Sequence, residues 1–388
     1  MYLSSKRTLA VLVAALVTMV YCQAAGPSPK QAAAGKDLVI HEWGTFSTFS
    51  GSNGKNLKFY PYDNDLPEFV HGYRVFRSKE APQGGLISLE TPVVYFYSEK
   101  PLTASVQVDF PKGTLTEWYP HAAKAGKKDN KLAWEGIEVL PEKSLRFLSE
   151  KRESRYYAAR ETDAAPLRVT FHGEEGTATE QEKFLFYRGV GNFEMPFTVR
   201  ALGEDKFRVA WNGADKLGDL YLVQMKAGKL RFQSFSLDQK PKGSLQSDVQ
   251  LSEKYEAEEQ MSKALVQRLI EEGLFEKEAR AMVKTWQSAW FGEEGTRVIY
   301  ILPKDLTGEL LPLRIEPKPT SLLRVLVGRH DVVTPEREKH FDALVKTINR
   351  ASTEQTDEQK AAWQELSKLG RYRDAVQQAS EIRLENGR

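Results

Sequence analysis

Cysteine is nearly absent: Cys22 is the only one in 388 residues. A body with no second thiol forms no internal disulfide and offers neither a Cys-ligated zinc nor a cysteine nucleophile beyond that position. Burial alone must hold the fold. One-signed charge is lacking too, since 55 basic and 53 acidic residues leave a net charge of +2. A nucleic-acid groove needs a one-sided basic field, and no basic run is interleaved with aromatics, so nucleic acid is not an expected partner. Catalytic motifs are missing as well. There is no Gly-x-Ser-x-Gly elbow and no Gly-x-x-x-x-Gly-Lys-Ser/Thr loop, and Gly84-Gly85 and Gly189-Val-Gly191-Asn-Phe-Glu194 are too short to cradle a phosphate. No cofactor is expected.

Long apolar runs are confined to the first 25 residues. Lys6 and Arg7 precede an apolar stretch from Leu9 to Tyr21, and Cys22-Gln-Ala24 places small residues for cleavage near Ala24. The stretch has about 13 residues where a membrane span needs about 20. Residues 1–25 therefore read as a signal peptide, and no transmembrane segment is expected in the mature chain. The expected location is periplasmic, outer-membrane-associated or extracellular. Cys22 has two readings: a retained, acylated lipoprotein cysteine, or the small residue three before an ordinary cut. Tyr21 stands where lipoproteins usually carry Gly, Ala or Ser.

The remaining composition is that of a soluble globular protein, 28% charged and 41% hydrophobic. Aromatics at 11%, with seven Trp, point to packed sheet, an aromatic binding surface, or both. Residues 26–36 read as a linker. Residues 37–165 carry strand signals at Leu38–Phe49, Val93–Tyr97 and Ala104/Val106/Val108/Phe110, where apolar residues alternate with Ser105, Gln107 and Asp109. Residues 60–85, rich in Pro, Asp, Asn and Gly, read as a long loop. Strand signals return every 8–12 residues between 166 and 250.

At about residue 252 the period becomes helical. Met261, Leu265 and Leu269 share one face and Gly273 can cap it, and Ala279, Met282, Val283, Trp286 and Trp290 share another. Strands at Arg297–Leu302 and Leu322–Val327 precede a helix that opens at Thr334-Pro335. Residues 251–350 thus read as an α+β region. Residues 351–388 read as a helical tail, with Thr356-Asp-Glu-Gln359 as a capping box and Leu369–Ala375 resembling half of one tetratricopeptide unit. The expected fold is mostly β: two antiparallel sandwich-like domains, then a helix pair, a few strands and a helical tail.

The segments His41-Glu-Trp-Gly-Thr-Phe46, Thr91-Pro-Val-Val-Tyr-Phe-Tyr97, Thr116-Glu-Trp-Tyr-Pro120 and Trp290-Phe-Gly-Glu-Glu-Gly295 resemble those of a family of secreted bacterial hypothetical proteins. The resemblance runs over most of the chain except the tail. It implies export from a bacterial cytoplasm and a shared architecture, and it transfers no activity.

Three kinds of chemistry are open to the first domain. His41, His71 and His121 could ligate a divalent metal if their segments converge, although no pair has the spacing of a known metal motif. Glu42 and Glu117 stand beside Trp43 and Trp118, and burial there would raise a carboxyl pKa toward general-acid use. Against this, neighbours on a strand point to opposite faces, which would leave both carboxylates in solvent. Trp43, Tyr60, Tyr62, Trp118 and Tyr119 could form an aromatic ligand surface, or simply fill the core. The leading expectation is an exported cell-envelope binding or scaffold protein that meets a glycan or protein partner. The rival is an extracytoplasmic hydrolase, metal-dependent or carboxylate-based, built on His41, Glu42, His71, Glu117 and His121. Arg329-His330-Asp331 at a strand end and the Glu293-Glu294 pair are further places where charge meets apolar sequence.

Overall fold

The segment with the Glu-Trp-Gly-Thr core becomes the central strand of the molecule. In the computed structural model, which describes residues 38–59, 65–72, 84–125, 130–173, 176–239, 245–351 and 354–386, strand β1 (Val39–Ser50) is buried along all but its first residue. It lies between two partners. One is antiparallel β3 (Ile87–Tyr97); the other is a parallel strand, Ser321–Val332, more than 280 residues further on. A strand covered on both faces and flanked on both edges can be apolar throughout, which is why Val93–Tyr97 and its neighbours are a continuous β-branched and aromatic run. Gly44 is required here: a Cβ on it would lie 2.8 Å from Pro92 Cα, where Thr91, at φ +53°, bulges β3 against β1.

Between β1 and β3 runs β2 (His71–Gly72), and the chain continues as β4 (Leu102–Asp109), β5 (Gly113–Tyr119), β6 (Lys124–Ala125), β7 (Lys131–Val139), β8 (Leu167–Gly173), β9 (Gly176–Glu182) and β10 (Leu185–Gly191). Then come β11 (Phe197–Ala201), β12 (Lys206–Trp211), β13 (Leu220–Lys226), β14 (Lys229–Phe235) and β15 (Leu245–Gln250). Helices α1 (Glu258–Glu271) and α2 (Glu276–Gln287) lead to β16 (Gly295–Ile301), and α3 (Lys304–Leu310) to β17 (Leu313–Glu316) and β18 (Ser321–Val332). The chain closes with α4 (Pro335–Ile348), α5 (Asp357–Ser367) and α6 (Arg373–Asn386).

The result is mostly β, 41% strand and 27% helix, with helices concentrated toward the C-terminus, as the composition and periodicity imply. A nine-stranded sheet in the order β14-β13-β16-β18-β1-β3-β10-β5-β2 draws strands from all three expected regions. Two smaller antiparallel sheets, β11-β12-β15 and the one running β17-β4-β7-β8-β9, complete the β structure. The described residues from 38 on belong to one compact unit. Among them no helix is long and apolar enough to cross a membrane. Residues 1–37, and with them Cys22, the signal segment and the linker, lie outside the described residues.

The large sheet has two unlike faces. On one, Phe46, Leu89, Val94 and Phe96 meet side chains of the two smaller sheets, including Val106, Trp134 and Val209. On the other, Trp43, Val93, Tyr95 and Val325 pack under α1, α2 and the turn Arg155–Arg160, against Met261, Leu265, Leu269, Met282, Trp286 and Trp290. Burying each of these large side chains is worth about 2–3 kcal/mol. Local signals hold: Gly273 takes φ +110° after α1, and Thr356 and Gln359 exchange the two capping-box hydrogen bonds (3.2 and 2.9 Å) at the start of α5. The C-terminal helices dock rather than trail. Tyr372 stacks on Phe49 with ring centroids 4.3 Å apart, inside a third cluster with Phe59, Phe341, Val345 and Leu366.

Candidate functional site

The sequence candidates scatter. His41 on β1 is buried, with Nδ1 2.7 Å from Glu278 of α2 and its ring 4.6 Å from that of Phe275. His71 and His121 do meet, at the opposite edge of the sheet: their rings are 5.5 Å apart, His71 Nε2 lies 2.7 Å from Glu180, and the His121 backbone N–H donates to the same carboxylate. Four strand spacings, about 19 Å along the sheet, separate His41 on β1 from His71 on β2. The three imidazoles therefore do not gather. Among the described residues no three His, Cys, Asp or Glu side chains come close enough together to hold a metal ion.

The carboxylate pair separates as well. Glu42 and Trp43 do point to opposite faces, but the sheet is covered on both, so Glu42 is buried instead of solvent-facing. Its two oxygens accept from Tyr187 and from Arg324, each at 2.5 Å, which leaves no atom for a substrate. Glu117, on β5, faces Arg188 on the other side of the sheet. Burial raises its pKa more than Arg188 lowers it. Opposite faces and about 14 Å of sheet keep the two from one reacting centre. Of the aromatic set, Trp43 and Tyr119 are fully buried, Trp118 is partly so, and Tyr60 and Tyr62 lie outside the described residues. Trp43 and Tyr119 therefore serve the core and present no ligand surface, because α2 and the Arg155–Arg160 turn cover them.

The structure assembles something else on the same face: a belt of buried charge across the upper half of the large sheet. Arg188 of β10 holds Asp65 with two 2.9 Å hydrogen bonds, and Arg155 adds a third contact to that carboxylate. Glu90 of β3 pairs with Arg371, from the turn Gly370–Tyr372. Arg371 donates to the Tyr372 hydroxyl at 2.7 Å, and that hydroxyl donates to Asp331 of β18 at 2.8 Å. Asp331 also receives Arg297 at 3.0 Å and Arg329 at 2.6 Å, and Arg329 continues to Glu293 at 2.6 Å. Burial alone would raise the Asp331 carboxyl. Arg329 and Arg297 outweigh it and hold the group well below the usual carboxylate range, as Arg188 and Arg155 do for Asp65. Buried charges survive only when paired in this way.

At its Glu293–Arg371 end the belt forms the floor of a cleft of about 1070 Å³, in the size range of small-molecule sites. One wall is the end of β13 and the segment Glu293–Thr296; the other is the start of α4 and residues 368–374. Most of its carboxylates are engaged. Glu204 caps α4 through Thr334 and the Glu336 backbone N–H, both at 2.9 Å, and Glu294 accepts the Ala227 and Gly228 backbone N–H groups of the β13–β14 turn at 3.2 and 3.1 Å. Glu293 is held by Arg329, Glu365 pairs with His340 at 2.7 Å, and Asp374 with Arg373 at 2.7 Å. Among the described residues, Lys226, Arg337 and Lys368 line the cleft with no ion-pair partner, against one unpaired carboxylate, Glu336. Arg337 is half-buried and lies over the Phe341 ring at 5.3 Å. Burial lowers its pKa, with Glu294 pulling the other way, yet an arginine keeps its charge at neutral pH.

Sequence reasoning saw the parts of this cleft separately, as a carboxylate pair at Glu293-Glu294, mixed charge at Arg329-His330-Asp331 and a C-terminal hairpin at Leu369–Ala375. The signal that could have joined them is charge inside otherwise apolar strands: Glu90, Arg188, Arg297, Arg329 and Asp331 all occupy such positions.

No protein-family model matches the chain, and no curated protein matches it. Among solved structures it is similar to a yeast delta-COP-I mu-homology domain complexed with a WxWxV peptide. The identity is 8% and the TM-score 0.31, over 76% of this chain and 98% of that one, a likeness too slight to carry an argument.

Proposed function

We propose that this is an exported binding protein of the bacterial cell envelope that takes an acidic small ligand, such as an acidic glycan fragment, in the cleft between the large sheet and the C-terminal helices. The export half of the reading rests on residues 1–25. The binding half rests on one observation: a half-buried arginine, Arg337, faces a cleft with a surplus of unpaired cations and has no partner of its own. A carboxylate or phosphate seated there would restore the interactions that burial costs the guanidinium. A charge-assisted hydrogen bond of that kind is worth about 1.5–3 kcal/mol.

The test is isothermal titration with glucuronic acid, citrate and pyrophosphate at low ionic strength. Saturable binding by the intact chain is expected for at least one of them. Arg337→Gln should weaken it by about tenfold or more. No saturable binding of any of the three, or equal binding by Arg337→Gln, would refute the reading.

A further inference from the structure

Away from that cleft, an open cavity of about 440 Å³ lies between the segment after β7 and the bend that joins β9 to β10. Its walls include Pro141, Leu145, Phe147, Ala164 and Pro166, which are largely apolar. Lys183 projects from the bend into this lining. The bend is fixed on both sides: Glu182 is fully buried and held by Arg160 at 2.7 and 2.9 Å, and Phe184 is fully buried in the core beneath α2. Lys183 itself is partly buried, and among the described residues its amine has neither a hydrogen-bond acceptor nor an ion-pair partner. The obvious carboxylate, Asp163, also lines the cavity but is taken by Lys277 at 2.6 Å. An amine with apolar surroundings and a second ammonium close by loses its proton more readily, and these are the two devices that activate a lysine as a nucleophile. Consistent with this, burial lowers the Lys183 pKa, and Lys277 lowers it further against the pull of Asp163.

We infer that Lys183 is a reactive amine whose cavity takes small carbonyl compounds, aldehydes or ketones, and condenses with them. The Lys183 Nζ lone pair attacks the carbonyl carbon and forms the C–N bond, while the carbonyl π pair moves to oxygen. Proton transfer from nitrogen to oxygen gives a carbinolamine. Loss of water leaves an imine, so one amine and one carbonyl yield one imine and one water, with no change of oxidation state. The site is distinct from the acidic-ligand cleft and does not depend on it.

The experiment is reductive trapping on the intact folded chain. Benzaldehyde and sodium cyanoborohydride are added at pH 7, the hydride reduces the imine to a secondary amine, and modification at each lysine is followed over time by peptide mass spectrometry. Lys183 should be labelled about tenfold faster than the exposed Lys229, since each unit of lowered pKa gives about ten times more free amine. Lys277→Met removes the neighbouring positive charge and releases Asp163 to Lys183, so it should slow labelling of Lys183 severalfold without changing that of Lys229. A Lys183 rate within twofold of Lys229, or no slowing in Lys277→Met, overturns the inference.

Discussion

Replacing Arg371 with Met is the most demanding test of the buried belt. The substitution keeps an unbranched apolar stem over Phe59 and Tyr372 but deletes the guanidinium that faces Glu90. Both partners are almost wholly enclosed, with side-chain exposures of 3% for Arg371 and 1% for Glu90. One Glu90 oxygen, Oε2, already has no hydrogen-bond partner among the described residues, so water does not replace the lost cation. Removing one member of such a pair strands a buried charge at a cost of about 3–5 kcal/mol. At the lower figure the folded-to-unfolded ratio falls about 150-fold. Urea unfolding followed by tryptophan fluorescence gives the change in midpoint, and the cycle of Arg371→Met, Glu90→Gln and the double variant isolates the pair. The double variant should lose less than the sum of the singles by about 2 kcal/mol. A loss below about 1 kcal/mol for Arg371→Met, or additivity within about 0.5 kcal/mol, would refute the claim that this turn is locked to the sheet by charge.

Two further predictions concern pH. Glu117 has its carboxyl pKa raised by burial, so the fold holds that proton more tightly than the unfolded chain does. Its favourable contribution is complete below the ordinary carboxyl value and is lost as pH rises through the raised one. Glu117→Gln should therefore match the parent near pH 4 and exceed it by about 1 kcal/mol at pH 8, as read from urea midpoints; a gap that does not widen with pH would sink the argument. His330 runs the other way. It is buried, with its ring nitrogens 2.8 Å from the Thr48 and Ser50 hydroxyls, and burial brings its pKa down to about 4. The unfolded chain takes up this proton first as pH falls from about 6.5, so stability drains away between there and about 4 by up to about 3 kcal/mol. His330→Gln should flatten that part of the stability–pH curve, and a His330 ring that titrates above pH 6 by NMR would contradict the assignment.

What the sequence disclosed was local, and what it concealed was pairing. The helix starting at Thr334-Pro335, the glycine stop at Gly273 and the box from Thr356 to Gln359 each depend on a few adjacent residues, and each stands as read. The alternation Ala104/Val106/Val108 likewise marks a strand with one buried face. No local feature says that β1 will lie parallel to β18, because many strands here share the same apolar pattern and the pairing spans most of the chain. That pairing decides the site. It places Ser47 beside Arg329 and carries Asp331 under Tyr372, and so converts a helical tail into the wall of a cleft. It also removes the solvent face on which Glu42 was expected to sit.

The charged residues set in apolar strands were the underused evidence. A strand buried on both faces tolerates Arg188, Arg297 or Asp331 only if a partner arrives from elsewhere, so each such residue demands a long-range contact even when the partner is unknown. Read together, Glu90, Arg188, Arg297, Arg329 and Asp331 hold two carboxylates against three guanidiniums, and the chain must supply the balance. It does so with Asp65 from a loop and Glu293 from the exit of α2, while Arg371 from the C-terminal turn answers Glu90. The cleft lies where this compensation meets the surface, and there Arg337 has a floor of settled charge below it and no partner of its own.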